Sequence, residues 1–88
     1  MSIDERLFQA GDLVEYIPEA FNSYKDKYIG SGYVESVEYN FAMDSYFYTV
    51  ITFNTIKQSA KNFAEYHLGE YKRLWSEHDA AAILRKIS

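Results

Sequence analysis

A chain of 88 residues holds one domain and not two, and its lack of cysteine excludes disulfides, thiolate metal sites and thiol catalysis. Hydrophobic residues make up 48% of it and aromatic ones 18%, enough for a core in so short a chain, because each buried aromatic removes roughly 150–250 Å² from water. The net charge of −4 counts against nucleic acid, which is usually met by a basic face, and apolar runs of only a few residues fall far short of the roughly 20 a membrane span needs.

The charge is unevenly spread. Residues 1–44 carry nine acids and three bases, and residues 45–88 carry four acids and six bases. That asymmetry implies either two faces of opposite sign or halves that neutralise each other on folding. Met1–Arg6 has neither a basic region nor an apolar stretch, so no signal peptide is expected. A cysteine-free domain of this size fits a reducing compartment, and cytoplasmic localisation is the expectation.

The first element follows Gly11-Asp12. Leu13–Ile17 is a β-prone run stopped by Pro18, with Val14 and Tyr16 on one face and Leu13, Glu15 and Ile17 on the other. Residues 19–27 read as a polar surface loop, with Asn22-Ser23 and Lys25-Asp26 at turn positions. Tyr28–Tyr39 reads as a strand in which Gly30 and Gly32 mark a bend or bulge; without a following helix or a GxxxxGK[ST] pattern they are not a phosphate loop. Asn40–Ser45 is a hairpin connection. Tyr46–Phe53 is the strongest strand signal, almost wholly β-branched or aromatic, and its two apolar faces predict a central strand covered on both sides.

Asn54-Thr55 then reads as a tight turn and Ile56–Lys61 as a weaker, returning strand. Between Asn62 and Gly69, the placing of Phe63, Tyr66 and His67 fits a helical turn that Gly69 would end. Tyr71–Trp75 alternates again, with Tyr71, Arg73 and Trp75 on one side. Ser76-Glu77-His78-Asp79 has the form of a capping box. Ala80, Ile83, Leu84 and Ile87 recur at helical spacing, so a helix is expected from about Glu77 to Ile87, with Arg85 and Lys86 in its last turn.

Gly11-Asp12-Leu13-Val14, a variable loop, Gly30-Ser31-Gly32-Tyr33-Val34, and then a hydrophobic strand over Phe47–Phe53 resemble the opening of SH3-like small β-barrels, including KOW and Tudor-type modules and the type II dihydrofolate reductase barrel. The resemblance covers roughly residues 11–75. It implies a mainly β fold: a small antiparallel barrel of about five strands over residues 11–75, with a late helical turn at Glu65–Leu68 and a last strand at Tyr71–Trp75, then a short C-terminal α-helix over residues 76–88. It implies fold and not activity. The reductase's Val-Gln-Ile-Tyr motif has no counterpart in Ile56-Lys57-Gln58-Ser59, and KOW relatives are usually basic where this chain is acidic.

No constellation of reactive groups emerges. His67 and His78 stand in no metal-ligand spacing, Ser31 lacks a GxSxG context, and Glu35 and Glu38, three apart on a strand, point to opposite faces. No catalytic residue, metal or cofactor is expected, and a binding role is. Nine tyrosines exceed what a small core absorbs, and tyrosine suits interfaces because one end is apolar and the other can be wet. The leading expectation is therefore a non-enzymatic protein-binding module, an inhibitor or adaptor of the kind phages and mobile elements encode, acting through an acidic, tyrosine-rich face of Glu15, Tyr16, Tyr33, Glu35, Glu38, Tyr46 and Tyr48. An aromatic cage for a methylated lysine is a sharper form of that idea; core tyrosines are the plainer one. Two alternatives stand beside it: a nucleic-acid-binding barrel using Lys57, Lys61, Lys72 and Arg73, and a homo-oligomeric structural subunit.

Overall fold

A computed structural model of the chain describes residues 6–61 and 63–87. The expectation for the first five residues and the Asn62 end of the proposed helical turn lie outside them. Five antiparallel strands form one sheet: β1 (Leu13–Tyr16), β2 (Lys27–Asn40), β3 (Ser45–Gln58), β4 (Ala64–Ser76) and β5 (Leu84–Lys86), with one helix, α1 (Glu77–Ile83), between β4 and β5. The sheet order is β4-β3-β2-β1-β5, so β2 is central, β3 lies between it and β4, and β4 and β5 are the edges. Among the described residues no helix is long and apolar enough to cross a membrane.

Alternation along each strand sorts the side chains. One face carries Val14 and Tyr16 of β1, Tyr28 and Val34 of β2, Tyr48 and Val50 of β3, and Trp75 of β4, all buried. Ala80 and Ile83 of α1, Leu84 of β5 and Phe8 cover this face and complete the core. Phe8 packs edge-on against Tyr48 at 5.6 Å, and the Tyr48 hydroxyl accepts from the Leu7 N–H at 2.8 Å. The segment before β1 is thus part of the core.

The long strands bend at one level. Gly30 in β2 (φ +152°), Asn54 in β3 (φ +51°) and Gly69 in β4 (φ +76°) all have positive φ, and the pairing register slips between Ile29 and Ser31 and between Phe53 and Thr55. The Asn54 side chain accepts from the Gly69 N–H at 3.0 Å, joining two of these positions. A second slip leaves Glu35 as an extra residue in β2. Near the bend, a Cβ on Gly32 would lie 1.8 Å from the Ile51 carbonyl oxygen, so only glycine lets β2 and β3 approach here.

Three expectations are corrected. Asn54-Thr55 is a bulge inside one continuous strand, so Ile56–Gln58 extends β3 and no separate strand returns there. Glu65–Leu68 is β4, paired with β3, and Gly69 is a bulge and not a helix end. The helix stops at Ile83, and Leu84–Lys86 continues as β5 paired with β1. In the first two cases an isolated residue suited to positive φ reads like a terminator, whereas a hydrogen-bonded neighbour lets the strand pass through it. In the third, apolar residues at helical spacing run on past Ile83, but Leu84 is extended (φ −113°) and pairs with Tyr16 of β1.

Candidate functional site

The face of the sheet away from the core carries an exposed apolar band. Leu13, Tyr33 and Ile51 lie side by side across β1, β2 and β3, with Phe53 two residues along β3 and Leu74 on β4 opposite Thr49. Ile51 is buried beneath its neighbours, while Leu13 and Phe53 are each 47% exposed and Leu74 56%. Below the bend, Ile29, Ile56 and Tyr66 form one further row on this face. No second layer covers it among the described residues, which corrects the expectation that β3 is covered on both sides.

Charges border the band. Arg85 of β5 donates through Nε to Glu15 at 3.2 Å, and its Nη2 lies 3.2 Å from the same carboxylate. Lys72 Nζ is 2.8 Å from Glu35, which alternation places on the outer face beside Tyr33. This hydrogen bond raises the Lys72 pKa above its ordinary value. The slip after Val34 reverses the alternation so that Glu38 shares that face, correcting the expectation that the two carboxylates point to opposite sides. Glu38 opposite Phe47 and Glu70 opposite Phe53 add negative charge. The border therefore holds four acids and two bases.

The seven residues of the expected acidic, tyrosine-rich face divide. Glu15, Tyr33, Glu35 and Glu38 all lie on the outer face, with Glu38 toward the hairpin end and away from Glu15. Tyr16 and Tyr48 are core residues, 2% and 0% exposed, and cannot meet a partner. They sit at the alternate positions of β1 and β3 that point inward. Tyr46 also lies on the inner side, partly buried against the core and edge-on to Tyr39 at 5.1 Å. The tyrosines therefore do not form a common patch. Leu13, Phe53 and Leu74 were missed, although the two-faced apolar pattern of β3 carried the signal.

The basic residues of the alternative reading are dispersed. Lys57 lies between Asp26 (3.8 Å) and Glu65 (3.7 Å), Lys72 is held by Glu35, and Lys61 is exposed after β3. Arg73 faces the aromatic core. Its guanidinium carbon is 4.4 Å from the Trp75 ring centre and 5.5 Å from that of Tyr28, and its Nη1 donates to the hydroxyls of Tyr28 (2.6 Å) and Tyr71 (3.3 Å). Tyr16 closes the group at 5.2 Å from Tyr28. The chain thus builds an aromatic box and fills it with its own cation.

Desolvation dominates here. It pushes the Tyr16 hydroxyl up to about 12 and raises Tyr28 and Tyr48 as well. All three stay neutral and serve as hydrogen-bonding core residues. No group of three or more potential metal ligands occurs among the described residues. Comparison with protein-family models, curated proteins and solved structures finds no match for this chain.

Proposed function

We propose that this chain is a non-enzymatic protein-binding module, an adaptor or inhibitor built on an opened SH3-like barrel. The strand order supports that architecture: β1 lies between β2 and β5, and a helical segment precedes the last strand. The module docks through the outer face of its sheet. Its partner is a protein with an apolar patch bordered by basic residues, complementary to Leu13, Phe53 and Leu74 within their acid-rich border. One observation carries this reading: large apolar side chains stand half exposed on an ordered sheet face, where a monomer gains nothing from them. The lack of cysteine fits action in the reducing cytoplasm. A nucleic-acid role draws less support, because Lys57, Lys72 and Arg73 are already engaged within the chain.

The test is affinity capture from nuclease-treated host lysate, using the full chain and a Phe53→Ser/Leu74→Ser variant. The expected result is a stoichiometric protein partner held by the parent and released at least tenfold more readily by the variant, with the unfolding midpoint little changed. A partner retained equally by both proteins places the contact elsewhere. Capture that disappears with nuclease, or a parent that only self-associates in sedimentation, overturns the reading.

A further inference from the structure

At the end of the sheet remote from the 40–45 hairpin, the loop before β2 meets the end of β3 around a cleft of about 570 Å³. Its volume lies within the range of small-molecule sites. Phe21 and Lys27 form one wall, with Lys27 Nζ 5.8 Å from the ring centre. Asn22 and Lys25 complete the loop side, and Gln58 and Ser59 face them from β3 and its exit. Phe21 is 49% exposed, leaving ring surface for a planar ligand.

The loop is held in shape before any ligand arrives. Asn22 Oδ1 accepts from the N–H groups of Tyr24 (2.9 Å) and Asp26 (3.0 Å), and Asp79 of α1 accepts from the Ser23 N–H at 3.0 Å. The charge distribution points to an occupant. Lys25 and Lys27 have no ion-pair partner among the described residues, in a chain of net charge −4 whose other described lysines face carboxylates at Asp12, Asp26, Glu35 and Glu65, Lys61 excepted. The Asn22 side-chain amide nitrogen has no hydrogen-bond partner among the described residues, but it is closed off from solvent and so from the cleft, and it is not a contact for an occupant.

We infer that this cleft is a binding site for a small planar aromatic anion of the mononucleotide type, its ring against Phe21 and its phosphate between Lys25 and Lys27. Gln58 and the Ser59 hydroxyl supply hydrogen-bonding groups at the opposite wall. The site is distinct from the outer sheet face and does not depend on it.

The experiment titrates the full chain with adenosine monophosphate, adenosine and ribose 5-phosphate, following backbone amide resonances. The expected result is saturable shifts at residues 21–27 and 58–60 with the nucleotide, and binding roughly tenfold or more weaker for each fragment. Lys25→Ala/Lys27→Ala and, separately, Phe21→Ala are expected to weaken the nucleotide by roughly tenfold or more while the rest of the spectrum is preserved. No shift at millimolar nucleotide, shifts centred elsewhere, or inorganic phosphate binding as well as the nucleotide overturns the inference. So does an oligothymidylate that binds more than about a hundredfold tighter, since the cleft would then be one step of a strand-binding track.

Discussion

Tyr16 shows how much one inward position decides. Its hydroxyl accepts from the Trp75 indole N–H at 3.3 Å, its ring lies 5.2 Å from Tyr28, and burial pushes its pKa up to about 12. The unfolded chain releases this proton near pH 10, while the folded chain keeps it until about pH 12. The resulting stability is fully present below pH 10 and is lost as pH rises through the folded value. Tyr28 and Tyr48, also raised by burial, act in the same direction. Denaturant titrations are therefore expected to give a flat stability up to about pH 9 and a steep decline above pH 10. Tyr16→Phe is expected to cost about 1–3 kcal/mol at neutral pH, because the Trp75 N–H loses its acceptor, and to make the alkaline decline shallower. An unchanged alkaline slope would remove Tyr16 from the account.

At the scale of elements, α1 does more than cap the core. Ser76 is its N-cap and accepts from the Asp79 N–H at 3.2 Å, as the sequence pattern implies. The Asp79 carboxylate does not return to the cap, however. It reaches the Ser23 N–H at 3.0 Å and lies 3.4 Å from the Ser23 hydroxyl, 56 residues away in the chain. One acid thus ties the helix start to the loop before β2. Asp79→Ala is expected to destabilise the fold by about 1–3 kcal/mol and to speed amide exchange at residues 22–26 more than in the centre of β3. Uniform acceleration across the sheet would mean that the carboxylate serves only the helix. The bend across Gly30, Asn54 and Gly69 is likewise a cooperative feature: each residue has its local signal, but only their alignment across three paired strands curves the sheet.

At the scale of the molecule, the charge asymmetry resolves into contacts between the halves. Asp12 faces Lys86 at 3.6 Å, Glu15 faces Arg85, Asp26 faces Lys57 and Glu35 faces Lys72. The acidic early strands and the basic late ones neutralise each other, and exposed pairs of this kind contribute little individually. The apolar closure matters more. β5 has three residues, yet it brings Leu84, 4% exposed, onto the core beside Tyr16 and supplies the partner for the free edge of β1. Leu84→Ala is expected to cost about 2–5 kcal/mol by chemical denaturation, comparable to a central core substitution. A cost under about 1 kcal/mol would show that β5 is a dispensable edge.

Local patterning by itself determined that the chain is mainly β, which residues of β1 and of Tyr71–Trp75 share a face, where the 40–45 hairpin turns, and that Ser76 caps a helix. Each follows from alternation, turn chemistry or a short-range cap, all of which act within a few residues. The tertiary structure alone decided that Asn54 and Gly69 are bulges, that Leu84–Lys86 pairs with β1, and that Tyr16, Tyr48 and Arg73 belong to the core and not to a surface. It also decided which apolar side chains stay exposed on the outer face. These outcomes depend on partners 15 to 70 residues away, and a strand's pattern states that it has two faces without stating which one another layer will cover.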